Sequence, residues 1–172
     1  SFNRPWGITT DGTNLYVSEF NGHRIRKIVI DNGTVTTLAG TGSSGSANGT
    51  GTAASFNRPW GITTDGTNLY VSEYSGHRIR KIVISTGVVT TLAGTGSSGS
   101  ANGTGTDASF SGPMGITTDG TNIYAAEYSG HRIRKIVIST GEVTTLAGSG
   151  SGGSTNGTGT DASFNTSGGV TT

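Results

Sequence analysis

The sequence contains no cysteine among its 172 residues, which excludes disulfide bonds and thiolate metal ligands. It has no apolar run near the roughly 20 residues that a membrane-spanning helix needs. Charged residues are few and balanced, 11 basic against 10 acidic, so the composition predicts no strong attraction to nucleic acid or an anionic membrane. The chain begins at Ser1 without a signal peptide, and both a mature protein and a segment of a longer one stay open.

Helical patterns are also missing. No window repeats apolar residues at a spacing of three and four over three turns, and strong helix formers are scarce. The chain instead has 31 glycines, abundant Ser and Thr, and short clusters of Val, Ile, Leu, Tyr and Phe. This composition predicts an all-β protein made of many short strands joined by tight turns.

A repeat of 54 residues dominates the sequence. Repeats one and two differ at six positions, and repeats two and three differ at ten. A period of this length is typical of solenoids and propellers. It divides the chain into three blade repeats, 1–54, 55–108 and 109–162, followed by a tail, 163–172, that is predicted to form the first strand of a further blade.

Four strands are predicted within each repeat. In the first repeat they cover Trp6–Thr10, Leu15–Glu19, His23–Ile30 and Val35–Ala39. Asp11-Gly12 and Asn32-Gly33 are turn signals between them. A connector rich in Gly, Ser and Thr, Gly40–Ala54, leads to the next repeat. Four antiparallel strands plus a long return path predict one propeller blade, and a β-solenoid is the main architectural alternative.

The segment PWGITTDGTNLYVSEFNGHRIRKI resembles the NHL repeat, whose pattern is P-x-G-I-x-x-D, then N-L-Y-V-x-D, then N-x-R-I. The connector resembles that of bacterial NHL proteins, and the resemblance recurs three times over essentially the whole chain. It implies a β-propeller, commonly with six blades. Glutamates stand where Asp is usual and glycines where Asn is usual, at Glu19, Glu73, Glu127, Gly22, Gly76 and Gly130.

Three blades do not close a ring, and an open arc leaves apolar side chains exposed. We therefore expect the chain to associate with itself. Two chains would give six blades, or copies would stack as an open assembly. Alternatively, the chain is a segment of a longer array. In a self-assembled ring, Ser163–Thr172 would mark the junction between chains by strand addition.

A contact surface is predicted on the loop face around the channel, where family members usually bind partners. Protein and glycan ligands are both open. The alternative is that Pro5-Trp6-Gly7 is only a packing corner. The candidate residues share the entrance to the first strand or the turn after the second; they are Arg4, Trp6, Phe20, Arg58, Trp60, Tyr74, Met114 and Tyr128.

The repeated charged residues have a structural interpretation. Glutamates at the end of the second strand are expected to pair across the hairpin with arginines at the start of the third, in the pairs Glu19–Arg24, Glu73–Arg78 and Glu127–Arg132. Nine of the eleven basic residues lie in such strands, which disfavours nucleic-acid binding. A peptide-processing lyase of the family holds zinc with histidines, but His23, His77 and His131 recur once per blade and should diverge around a ring.

No catalytic group stands out in one place, because almost every acid and base repeats with the blade. The connector sequence Asn102–Asp107 partly matches a calcium-binding nonapeptide, and calcium binding by the connector stays open.

We thus expect a non-enzymatic scaffold without a cofactor or resident metal. A ligand-binding propeller is the alternative. The low Lys content and the Gly/Thr/Ser bias point to an extracellular or periplasmic location.

Overall fold

The computed structural model describes all residues from Ser1 to Thr172 and contains three antiparallel sheets, one for each repeat. The prediction of propeller blades built from four antiparallel strands is confirmed. No helix in the structure is long and apolar enough to cross a membrane. The strands of the first blade are β1 (Pro5–Thr10), β2 (Asn14–Glu19), β3 (Arg24–Val29) and β4 (Val35–Ala39).

The second and third blades each have five strands. In the second they are β5 (Gly49–Thr50), β6 (Pro59–Thr64), β7 (Asn68–Glu73), β8 (Arg78–Val83) and β9 (Val88–Ala93). In the third they are β10 (Gly103–Thr104), β11 (Pro113–Thr118), β12 (Asn122–Glu127), β13 (Arg132–Val137) and β14 (Glu142–Ala147). Their spatial orders are β5-β9-β8-β7-β6 and β10-β14-β13-β12-β11.

The fifth strand comes from the connector, which was predicted only as a surface crossing. β5 pairs with β9 of the following blade, so blade 2 takes one strand from the first 54-residue repeat. A single turn of 3-10 helix, Gly51–Ala53, follows β5. The sheets therefore do not coincide with the repeat boundaries, because the connector completes the outer edge of the next blade.

The first hairpin is fixed by an aspartate at the turn. Asp11 Oδ1 accepts the N–H groups of Thr13 at 2.9 Å and Asn14 at 2.6 Å, and Oδ2 accepts the hydroxyl of Tyr16 at 2.7 Å. Burial raises the pKa of Asp11, but these hydrogen bonds outweigh it and hold the pKa well below the ordinary range. The turn thereby satisfies the hydroxyl of a tyrosine whose ring is fully buried.

The apolar core lies between blades rather than within them. One cluster joins Tyr16 and Ile25 of blade 1 to Phe56, Ile62 and other residues of blade 2. A second cluster repeats the arrangement between blades 2 and 3. Each blade therefore has a leading face, which the preceding blade covers, and a trailing face, which covers the following blade.

Two hydrogen bonds recur at the junctions. The Nδ1 atom of His23 accepts the N–H of Arg58 at 3.2 Å, and His77 accepts that of Gly112 at 3.2 Å. The Ser18 hydroxyl donates to the carbonyl of Trp60. The predicted strand His23–Ile30 is one residue too long at each end, because His23 has a φ of 51° and stands outside the ladder.

The tail Ser163–Thr172 does not form the strand predicted for it. It follows the path of a first strand: His131 Nδ1 accepts the N–H of Thr166 at 3.1 Å, and a Cβ built on Gly115 would lie 2.7 Å from Gly169 Cα. However, no residue of the tail belongs to a strand. The physical reason is that a first strand pairs with the second strand of its own blade, which is not available to it here.

Candidate functional site

The loop face of blades 1 and 2 brings together six of the eight predicted contact residues. We call this set the Arg/Trp face; its members are Arg4, Trp6, Phe20, Arg58, Trp60 and Tyr74. Trp6 and Trp60 stack with ring centroids 4.4 Å apart, and the edge of Phe20 meets Trp60 at 5.2 Å. The set therefore forms a continuous aromatic platform.

Two arginines lie on this platform. The guanidinium carbon of Arg4 is 5.0 Å from the centroid of the Phe20 ring, and that of Arg58 is 5.4 Å from the same centroid. Both side chains are exposed, and no carboxylate pairs with either of them. The face thus presents two uncompensated positive charges above aromatic rings.

The backbone that carries these arginines is strained. Arg4 and Arg58 both have a φ of 54°, in the left-handed region that non-glycine residues seldom adopt. The carbonyl of Arg58 accepts the N–H of Tyr74 at 3.1 Å, which belongs to the turn after β7. Together with the His23 contact, this bond holds the left-handed conformation in place.

The remaining predicted members of the face have different surroundings. Met114 is buried, with 7% of its surface exposed, so it acts as packing at the junction of blades 2 and 3. Phe20 is likewise buried and serves as the floor under the arginines. Tyr128 is exposed and reaches the platform only through Tyr74, at 6.4 Å.

The predicted ion pairs had the wrong arginine. Glu19 pairs with Arg26 at 3.2 Å, Glu73 with Arg80 at 3.3 Å and Glu127 with Arg134 at 3.4 Å. The predicted partners Arg24, Arg78 and Arg132 instead donate to carbonyl oxygens, those of Thr41, Thr95 and Ser149. Residues directly opposite across the strands are therefore not the ones that pair.

In blade 2 the connector adds acceptors to this pair. Arg80 donates to the carbonyls of Ser55 and Ala47 and to Asn48 Oδ1, at 3.0 to 3.1 Å, as well as to Glu73. The Glu19–Arg26 pair forms in blade 1 without these acceptors, so the connector buries the pair and does not select the arginine. Burial raises the pKa of Glu73, and the charge of Arg80 opposes that rise. The pair is structural, and sequence spacing alone did not reveal acceptors that lie some 30 residues away.

The repeated histidines belong to the blade junctions, a role that the sequence did not indicate. Burial lowers the pKa of His23 and of His77, and a nearby arginine lowers each further. Neutral imidazole suits the contact, since Nδ1 must accept a backbone N–H. The residues that donate to His23 and His77 stand 35 positions later in the sequence, each directly before a proline, and this spacing was the only available signal.

Comparisons with known proteins agree with this architecture. No protein-family model matches the chain. NHL repeat-containing protein 2 from Bos taurus is 30% identical over 148 residues, which are 79% of this chain and 20% of that protein. The chain spans between 13% and 20% of the length of the curated relatives it matches.

Solved structures show the same fold. A structural genomics protein of unknown function from Bacteroides thetaiotaomicron superposes with a TM-score of 0.79 at 23% identity, over 98% of this chain and 42% of that one. Virginiamycin B lyase from Staphylococcus aureus superposes with a TM-score of 0.53 at 24% identity, over 82% of this chain and 40% of that one. At these identities the likeness is one of fold.

Proposed function

Since the chain belongs to the NHL-repeat family of β-propeller proteins, we propose that it is a non-catalytic scaffold that joins head to tail with a second copy of itself. The observation that carries this proposal is an uncovered apolar groove on the leading side of blade 1, with a volume of about 310 Å³. We call it the open face; it is lined by Phe2, Pro5, Trp6, Gly7, Ile8, Val17 and Ile28.

The covered counterpart of the open face lies in the same molecule. Ile8 is 61% exposed, whereas its equivalent in blade 2, Ile62, is 6% exposed beneath the trailing face of blade 1. Tyr16, Ile25 and Ala39 provide that cover and are fully buried. The chain therefore contains the pattern of contacts that would close the groove.

The opposite end of the arc offers the same covering surface. Tyr124, Ile133 and Ala147 of blade 3 are the equivalents of Tyr16, Ile25 and Ala39, and each is partly exposed. Leu146 beside them is 47% exposed. A second copy thus supplies a trailing face for the open face, and two copies would form a ring of six blades.

The tail occupies part of that junction. Ser163–Thr172 lies over β11, where the first strand of a following blade would lie. It carries Gly168 where β1 carries Trp6, so β1 of the second copy would bury more apolar surface there. We therefore expect the tail to be displaced on association.

Non-catalytic function is supported by how the acids and bases are used. The repeated aspartates hold turns, the glutamates pair with buried arginines, and the histidines accept backbone N–H groups between blades. Each such group already has a structural partner in its own blade or the next. An extracellular or periplasmic location stays a prediction.

Light scattering tests the association. We expect twice the chain mass of 17.3 kDa for the unmodified protein. Ile8→Asp and Leu146→Asp should each give a folded monomer, since both side chains are exposed within one chain. Asn32→Asp, in an exposed turn, adds the same charge elsewhere and should leave the mass unchanged.

Mixing the two variants defines the orientation. In a head-to-tail contact, the intact open face of Leu146→Asp meets the intact trailing face of Ile8→Asp, so the mixture should form dimers although neither variant does alone. Head-to-head association would give no such rescue. A monomeric unmodified chain would overturn the proposal and favour a longer chain whose own repeats cover the open face.

A second candidate function is ligand binding on the Arg/Trp face. The two uncompensated guanidinium groups above the aromatic platform favour it. Replacing Trp60 with Ala would remove the centre of the platform. Ligand binding would be lost, while the mass of the assembly measured by light scattering stays the same.

A further inference from the structure

We propose that the Arg/Trp face binds a carboxylate-bearing saccharide, with the carboxylate held by Arg4 and Arg58 and a sugar ring lying on the aromatic platform. This inference rests on the second candidate function and gives its ligand a chemical class. It begins from a difference between blades that have the same backbone.

Blade 3 shows that the backbone does not require arginine. At the equivalent of Arg4 and Arg58 it has Gly112, with a φ of 61°, and the Gly112 carbonyl accepts the N–H of Tyr128 at 3.0 Å as Arg58 accepts that of Tyr74. Glycine adopts this conformation without strain, whereas arginine does not. The left-handed conformation thus accepts glycine as well as arginine, so the backbone alone does not select arginine in blades 1 and 2.

The side chains are available to a ligand. Arg4 donates no side-chain hydrogen bond, and Arg58 makes only one long contact, from Nη1 to Ser75 Oγ at 3.5 Å. The guanidinium carbons of Arg4 and Arg58 lie 5.0 and 5.4 Å from the centroid of the same Phe20 ring, so both positive charges lie beside one ring. Arginine binds carboxylates through two parallel N–H groups, which this arrangement leaves free.

The distribution of basic residues disfavours a nucleic acid as the ligand. The nine other basic residues lie in or at the third strands of the blades, and their arginines are used by glutamates or by loop carbonyls. A nucleic-acid strand needs a track of cations along its phosphates, and two arginines at one junction do not provide one. A single carboxylate is the better match in charge.

The platform indicates what carries the carboxylate. The Arg/Trp face adjoins the groove of the open face, and Trp6 belongs to both. Trp6 is exposed, Trp60 and Tyr74 are half-buried, and their rings provide apolar surfaces with polar edges. A hexuronic acid unit has a flat C–H face for such rings and a carboxylate for the arginines.

Intrinsic fluorescence can follow binding, because the only two tryptophans are both in the site. Titration with trigalacturonate should change the emission saturably, and added salt should weaken the effect. Maltotriose, a neutral saccharide of equal length, should give no change. Equal binding of maltotriose, or of inorganic phosphate alone, would overturn the assignment of a carboxylated sugar.

Arg58→Gly is the decisive variant, because it copies blade 3. We expect affinity for trigalacturonate to fall about tenfold or more. The Tm should stay within about 3 °C, since relief of strain offsets the lost ring contact and the more flexible unfolded chain. Arg58→Lys keeps the charge without the paired N–H groups and should lose affinity by a smaller factor. Unchanged affinity in Arg58→Gly would overturn the proposal.

Light scattering on the same samples separates this proposal from self-association. Arg58→Gly should keep the mass of the unmodified protein. Leu146→Asp should become monomeric and still bind trigalacturonate, because all six residues of the Arg/Trp face belong to blades 1 and 2 of one chain. If the unmodified protein has the mass of a dimer but does not bind trigalacturonate, only the saccharide site is contradicted.

Discussion

Blades 1 and 2 differ at only six of 54 positions, yet their side chains have different surroundings. Phe2 is 40% exposed and Phe56 is fully buried, although each occupies the second position of its repeat. Arg26 keeps some solvent contact, whereas Arg80 has none. The comparison teaches that burial in this molecule is conferred by the neighbouring blade and by the connector, not by the repeat itself.

The ion pairs should show the largest difference in lost stability between equivalent substitutions in blades 1 and 2. Glu73→Gln leaves the Arg80 guanidinium buried without a counter-charge, which should lower the free energy of unfolding by about 3–5 kcal/mol. In the equivalent pair Glu19 is buried but Arg26 keeps 17% of its side-chain surface exposed, so Glu19→Gln should cost less, about 1–3 kcal/mol. Urea unfolding curves of the two variants measure both. Equal losses would show that the connector does not set the environment of the pair.

Substitutions in the apolar faces should show a smaller difference in lost stability between the two blades. Ile62→Ala removes a side chain packed between blades and should cost about 2–4 kcal/mol. Ile8→Ala changes the equivalent exposed position and should cost about 0.5 kcal/mol at low protein concentration. If copies associate through the open face, the cost of Ile8→Ala will grow as concentration rises. A constant small cost at all concentrations would contradict self-association.

The smallest expected effect concerns the histidine contacts. His77→Ala removes the acceptor for Gly112 N–H between two complete blades and should cost about 1 kcal/mol. His131→Ala affects only the contact with the tail at Thr166 and should cost less. Thermal unfolding monitored by circular dichroism would rank the two variants. A larger cost for His131→Ala would mean that the tail stabilises the arc more than a full junction does.

His77 should also make the stability of the folded protein depend on pH. The pKa of His77 in the folded state is lowered from its ordinary value of 6.5, so the unfolded chain binds more protons as pH falls below that value. Its contribution to stability is therefore present above pH 6.5 and lost as pH falls through the lower, folded pKa. The unmodified protein should lose stability over this range faster than His77→Ala, and parallel curves would contradict the assignment.

Much of the blade could be predicted from local patterns. Asp11-Gly12 predicts its hairpin because the contacts of the aspartate and the glycine lie within a few residues. The strands are predicted by the alternation of side chains that share one face. The connector strand Gly49–Thr50 could not be predicted, since two small residues have no pattern and their partner lies about 40 residues away.

The site was predicted in outline only. The Arg4-Pro5-Trp6 entrance and the aromatic turns were found because they recur at one end of the predicted strands. The pairing of Glu19 with Arg26 rather than Arg24 depends on the side-chain rotamers of the two arginines, because Arg24 instead donates to the carbonyl of Thr41. The strain at Arg58 is likewise visible only in the backbone, and it separates Arg58 from Gly112.

The contact between His23 and the Arg58 N–H has a consequence for how such a chain changes in length. Both partners recur with the period of 54 residues, so gaining or losing one whole period at any crossover point recreates the same bond with the next available partner. Unequal recombination between repeats therefore alters the number of blades without creating a junction of a new kind.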